Sequence, residues 1–321
     1  MSTFSHVAIA VTAVILAAGS LPAASREFRR TFPVGTAAIV KLETYRGDIS
    51  IDENENREVG LEVEVEAEAE NAAAAQELIA GVSVETSAQG QQVAVSIRNP
   101  RETGLRPTWR EQERTELRIR LLVPVRCDVQ VGANEGIVRI GNLAGQIGVK
   151  LGRGDVSLRR IDGSVTVELE QGDLVLSRCS GAVTARLRRG QIYLGTVGGA
   201  AELTNDTGGI EVMAVRGSLR AAAQVGDIRV GFAPGLTADS KLTAAAGNIV
   251  AAFHGRTACR VEAAASWGRV SSDVSMEIEG GNVGGRSLSG RINGGGPAVV
   301  LRASGGSVTL KSGLVLVDET D

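Results

Sequence analysis

Asp155 and Asp173 stand eighteen residues apart, and each directly follows a glycine. If the chain repeats with that period in parallel strands, the two carboxylates stack about 4.8 Å apart. Such a pair is the raw material of a calcium cage or of the two acids of glycoside cleavage. The positions eighteen and thirty-six residues beyond Asp173 are Gln191 and Gly209. Two aspartates without a third acid make a poor cage for a hard cation, and Arg153 and Arg189 in the preceding column offset their repulsion. The pair therefore reads as part of a corner. Histidine chemistry lacks parts, because the chain holds only His6 and His254 and can build neither a Ser/His/Asp triad nor a zinc site. Of the three cysteines, Cys127 and Cys179 fall about three coils apart, beyond disulfide reach. Cys179 shares a column with Leu143, Ile161, Val197 and Val215 and reads as a small buried hydrophobe. Tyr193, Trp267 and Trp109 share no column that could form a stacking platform for sugars. No catalytic, cofactor-binding or metal-ligating residue is expected.

The elements that must position these residues announce themselves through glycine, which falls at every ninth position from Gly136 to Gly235. Taken two at a time, the glycines define an 18-residue unit, too short for a helical repeat and right for a β-solenoid coil of two strands and two corners. Two residues after the first glycine of each unit stand Val138, Val156, Leu174, Ile192, Ile210 and Ile228; four after it stand Ile140, Leu158, Leu176, Leu194, Val212 and Val230. The alternate glycines are followed in the same way by Ile147, Val165, Val183, Ala201, Leu219 and by Val149, Val167, Ala185, Leu203, Ala221. Alternation with period two puts one face of each strand inward. Asn205 is a polar exception among the inward columns. Outward columns read Lys150, Glu168, Arg186 and Glu170, Arg188, Asp206, which predicts charge pairing between coils. Arg46-Gly47-Asp48 and Arg153-Gly154-Asp155 spell an integrin-ligand tripeptide, but the same corner recurs without arginine at Gln171-Gly172-Asp173 and Val225-Gly226-Asp227. A turn code explains all four.

Bulk composition fits stacked small aliphatic layers: 41 glycines and 3% aromatics in 321 residues. A net charge of -3 leaves no field to attract nucleic acid or an anionic membrane. Residues 7–19 form an apolar run shorter than a membrane span, followed by Leu21-Pro22-Ala23-Ala24-Ser25. This predicts an export signal cleaved before Arg26, and a periplasmic or extracellular protein that stays tethered if cleavage fails. Residues 1–25 are thus the signal. Residues 26–126 lack the nine-residue beat and read as a β-rich capping module with strands at 37–44, 48–52, 60–69, 82–85, 93–98 and 117–123. They include one helix over 71–80 that starts on Asn71 and stops before Gly81. Its expected job is to cover the first coil near Val129 and Val131. Residues 99–114, with Trp109, read as a polar loop. The solenoid domain spans 127–321, regular to 235 and irregular after it, and Val299, Leu301, Val308, Leu310, Leu314 and Leu316 are expected to form a closing coil.

The corner Gly-Asp-aliphatic-x-aliphatic recurs at Gly47-Asp48-Ile49-Ser50-Ile51, Gly154-Asp155-Val156-Ser157-Leu158, Gly172-Asp173-Leu174-Val175-Leu176 and Gly226-Asp227-Ile228-Arg229-Val230. With Leu42-Glu43-Thr44-Tyr45-Arg46-Gly47-Asp48, the strand-then-helix segment through Ala80 and the late Asn293-Gly294-Gly295-Gly296-Pro297, it resembles a bacterial family of unknown function labelled "putative adhesin". The chain departs from that corner at Ile137, Gln191 and Gly209. The resemblance implies an exported, all-β parallel solenoid without established catalysis, and supplies no functional residues. The expected function is non-catalytic binding or scaffolding in the cell envelope, toward an unidentified protein or polysaccharide partner, with no cofactor and no membrane span after signal removal. The alternative is a polysaccharide lyase or hydrolase that uses the corner carboxylates.

Overall fold

The computed structural model describes residues 13–16, 23–100 and 114–313 in two compact units, Met1–Ala144 and Gly145–Asp321. His6, most of the apolar run 7–19, the loop around Trp109, and Leu314 and Leu316 lie outside the described residues. The protein is all-β with one described helix.

The first unit contains β1 (Ala13–Leu16), β2 (Ala23–Pro33), β3 (Ala38–Asn54), β4 (Glu58–Glu68), α1 (Ala72–Ala80), β5 (Ser83–Gln89), β6 (Gln92–Arg98), β7 (Arg114–Pro124), β8 (Cys127–Ile140) and β9 (Leu143–Ala144). The expected strands at 37–44 and 48–52 run on as the single strand β3, bent at Gly47. Its first half lies between β6 and β8, and its second half between β7 and β8. Gly47 stacks on Gly136, so β3 is itself a rung of the glycine ladder although the surrounding sequence lacks the beat. The spacing is hidden because 89 residues, rather than eighteen, separate the two glycines. This also corrects the role expected of the helix. Val129 and Val131 are covered by Val40 and Leu42 of β3, which satisfies the strand edge with backbone hydrogen bonds as no helix could. The helix instead packs Ala75, Leu78 and Ile79 against β2 and β4. Asn71 caps it by accepting a hydrogen bond from the Ala74 N–H at 2.9 Å. Along β4 the alternation is strict: Val59, Leu61, Val63, Val65 and Ala67 are buried while Glu62, Glu64 and Glu66 face out. There Arg29 pairs with Glu62, and Arg118 with Glu64 and Glu66.

The regular coils of the second unit are β10 (Ile147–Arg153), β11 (Val156–Asp162), β12 (Val165–Gln171), β13 (Leu174–Cys179), β14 (Val183–Arg189), β15 (Ile192–Val197), β16 (Ala201–Thr207), β17 (Ile210–Val215), β18 (Leu219–Val225) and β19 (Ile228–Phe232). Even-numbered strands pair in parallel with even and odd with odd, residues facing those eighteen further on, as in Val165↔Val183 and Leu174↔Ile192, until a register shift in β17 sets Val215 opposite Phe232. All the aliphatic columns of these strands are buried. Outside, Lys150 meets Glu168 at 3.4 Å, Arg188 meets Glu170 at 3.8 Å, and Arg186 reaches across to Glu202 at 3.6 Å. These exposed pairs contribute little stability and fix register.

The irregular end comprises β20 (Ser240–Ala246), β21 (Ile249–Phe253), β22 (Cys259–Ala265), β23 (Val270–Ser272), β24 (Glu277–Gly281), β25 (Ser287–Ile292), β26 (Ala298–Ala303) and β27 (Val308–Ser312). After Gly235 the register resumes at twenty-one residues, Ala221↔Leu242. The expected closing coil is then corrected. β26 and β27 do not close the stack; they lie inside it, β26 between β20 and β22 and β27 between β21 and β23. The end is closed by the hairpin β24–β25, which pairs antiparallel with β22. Its tip hydrogen-bonds the edge of β23 through Val270 N–H to Gly285 O, 2.8 Å, and Gly284 N–H to Val270 O, 2.7 Å. The glycine-rich segment 293–297 makes the crossing from one side of β22 to the other. Asn293, Gly294 and Gly295 all have positive φ there, and Asn293 donates to Gly255 O and Thr257 O.

Candidate functional site

Glycine corners bring the acidic residues into a column, and the column is built for the backbone. Gly172 has φ +136, and a Cβ on it would lie 1.9 Å from Gly154 O, so the coils approach there as only glycine allows. The residue after each such glycine then points along the stack. Asp155 Oδ1 accepts from the Asp173 N–H at 2.9 Å, Asp173 Oδ1 from the Gln191 N–H at 2.7 Å, and Gln191 Oε1 from the Gly209 N–H at 2.7 Å. Gly209 has no side chain to hand on the contact, and the series restarts at Asp227, whose Oδ1 accepts from the Asn248 N–H at 2.8 Å. Asn248 Oδ1 accepts from the Ser307 N–H at 3.0 Å, in the intercalated coil that ends in β27. Asn205, fully buried, supports the weak step from inside by donating to Gly190 O at 2.8 Å and Gly209 O at 3.1 Å.

The structure thus brings Asp155 and Asp173 together as the spacing requires, and gives each carboxylate a backbone donor from the next coil. Gln191 stands in the acidic column because its carbonyl does the same work. Among the described residues, no group of three or more His, Cys, Asp and Glu is placed to hold a metal ion. Both Arg-Gly-Asp segments are engaged in the fold, although Asp48, Arg153 and Asp155 are exposed: Gly47 is buried, Arg46 donates to Thr115 O at 3.2 Å, and Asp155 accepts from the next coil. His254 accepts from the Arg256 N–H within its turn. Cys127, Cys179 and Cys259 are all buried and unbridged. Burial pushes the Cys127 and Cys259 thiols up to about 12 and raises that of Cys179, the direction that suppresses thiolate chemistry.

Sequence reasoning missed a concave surface of about 680 Å³ in the first unit, on the outer face of β5, β6 and β3. Its lining includes Lys41, Glu43, Tyr45, Glu85, Ser96 and Arg98, with Asn134 of β8 at one end. No repeat marks it, and only the pairing of three strands scattered over sixty residues assembles it.

No family model matches the chain, and no curated protein matches it. Solved structures do align along most of its length. A "putative adhesin" of Bacteroides fragilis is 14% identical, covering 89% of this chain and 96% of its own, with a TM-score of 0.39. A "putative lipid binding protein" of Parabacteroides distasonis is 14% identical over 88% and 96%, with a TM-score of 0.38. A "putative cell adhesion protein" of Clostridium sporogenes is 10% identical over 90% and 100%, with a TM-score of 0.25.

Proposed function

We propose that this is an exported, non-catalytic protein of the bacterial cell envelope that binds or scaffolds through its outer surface. One observation carries the reading. The carboxylates with the best spacing for chemistry are engaged with backbone N–H groups of the neighbouring coil, so the repeat uses its acids to build itself. Proton-transfer catalysis needs an acid, a base and a reacting atom within hydrogen-bond reach of one another, and this column offers each acid a backbone amide instead. Apart from Asn205 and Phe232, the interior columns of the regular coils are filled with Val, Ile, Leu, Ala and Cys, which leaves the outside as the working surface. Export rests on the apolar run and the small residues before Arg26. Cleavage there removes β1 and Ala23–Ser25 and leaves Arg26–Pro33 of β2 paired with Glu58–Val65 of β4. Among the described residues, no helix is long and apolar enough to cross a membrane.

The test has two arms. Residues 1–30 fused to a reporter that works only after export should give an active reporter, and the native chain should be recovered with Arg26 at its N-terminus. The purified protein should retain envelope protein or polysaccharide reversibly and release no products from a panel of polysaccharides, peptides and esters. Retention in the cytoplasm defeats the envelope assignment. Turnover abolished by the Asp155→Asn, Asp173→Asn double variant promotes the polysaccharide-enzyme alternative.

A further inference from the structure

We infer that the groove on β5, β6 and β3 binds a neutral oligosaccharide; this names the ligand class of the surface-binding reading and rests on it. The register lays the outward residues in rows. One row is Glu85, Ser96, Glu43 and Gly132, running from β5 through β6 and β3 to β8; the next is Ser87, Ala94, Lys41 and Gln130. Small residues, Ala94 and Ser96, form the floor, and Glu43 lies over Gly132 at its β8 side. The long side chains stand around them. Glu85 and Glu43 are two strand spacings apart, about 10 Å.

The chemistry of the walls selects the class. Two bases, Lys41 and Arg98, balance two acids, Glu43 and Glu85, so neither a polyanion nor a polycation is concentrated there. Donors and acceptors stand side by side. Lys41 Nζ is 3.4 Å from Glu43 Oε1, and Arg98 Nε donates to Ser96 Oγ at 3.2 Å. A vicinal diol, whose hydroxyls both donate and accept, matches such neighbours in either order. β6 and β3 are paired on both sides, and although β5 pairs only with β6 among the described residues, the small floor residues provide no deep apolar pocket for a side-chain anchor of an incoming peptide. Tyr45 forms one wall but is only 6% exposed, so hydrogen bonds rather than ring stacking supply the affinity. Binding by one chain is strengthened where several sites meet one polymer.

The experiment titrates the purified protein with neutral gluco-, manno- and xylo-oligosaccharides of four to six units. Oligogalacturonide and acidic and basic peptides serve as the other arms, and released reducing ends are assayed in parallel. At least one neutral series should bind and the charged probes should not. The Glu43→Gln, Glu85→Gln double variant should weaken that binding tenfold or more, and Ala94→Arg, which fills the floor, should abolish it. All of these positions are exposed and should leave melting unchanged. Glu168→Gln with Glu202→Gln, on the coil face, should leave binding intact. Absence of neutral-sugar binding at about 10 mM, or binding indifferent to the groove variants, overturns the inference, and so does groove-dependent binding of peptide or galacturonide instead. If envelope material is still retained in those cases, the broader surface-binding reading stands without the groove. Groove-dependent cleavage of a bound sugar keeps the site and overturns the non-catalytic reading.

Discussion

Replacing Gly172 with valine should destabilise the protein by more than about 3 kcal/mol, the combined cost of a left-handed backbone and a forced contact. Its φ is +136, and the added Cβ would meet Gly154 O at 1.9 Å and Gly154 C at 2.6 Å, backbone atoms that cannot rotate away. Gly181, in the other corner row, separates the two causes. It lacks a left-handed φ, yet a Cβ there would lie 2.3 Å from Gly163 O. Gly181→Val should therefore cost about 1–3 kcal/mol from crowding alone. Thr184→Val, on the outward side of β14, should change stability by less than about 0.5 kcal/mol. Chemical denaturation of the three variants ranks them, and equal midpoints would mean that the nine-residue beat is not a corner code.

Leu301→Asp should release the end of the second unit with an effect of more than about 4 kcal/mol, because it places an unpaired charge in a fully buried layer. Leu301 lies between Leu242 of β20 and Ala263 of β22, so both neighbours lose their packing at once. Coils in a stack support mainly their neighbours, so limited proteolysis should cut the region after Gly255 while β10 to β19 stay protected. The strand order can be read by crosslinking. Thr243→Cys with Arg302→Cys places two cysteines on adjacent strands and should form a disulfide. Thr243→Cys with Ala264→Cys leaves β26 between them, about 9.6 Å across two strand spacings, and should not. The three native thiols are buried and compete poorly for the oxidant. A disulfide in the second pair would restore the simple sequential order and refute the intercalation.

The regular coils were legible because every rule acts locally there: glycine at the corner, aliphatic residues at the second and fourth positions after it, and charge outside. Val156, Leu174, Ile192, Ile210 and Ile228 all fall in one buried column for that reason. The rung formed by β3 was hidden because its partner Gly136 lies far along the chain, and register between distant strands is fixed by pairing rather than by spacing. Intercalation of β26 and β27 was hidden in the same way. The strands themselves were foreseen, but their neighbours depend on where the turn at Asn293 sends the chain. At the candidate site, the acids and their stacking could be read from Asp155 and Asp173. The direction in which their oxygens point could not, and it distinguishes a cap from a catalyst.

Stability and activity of two Asp173 variants, measured side by side, test that distinction most directly. Asparagine keeps a carbonyl oxygen where Asp173 Oδ1 accepts the Gln191 N–H, and alanine removes it. If the residue is a cap, Asp173→Asn should melt within about 0.5 kcal/mol of the native protein, and Asp173→Ala should lose about 1–2 kcal/mol, the cost of an orphaned backbone donor. Both variants should retain native binding to envelope material. A native protein that turns over a polysaccharide, with Asp173→Asn as inactive as Asp173→Ala yet fully stable, would contradict the account.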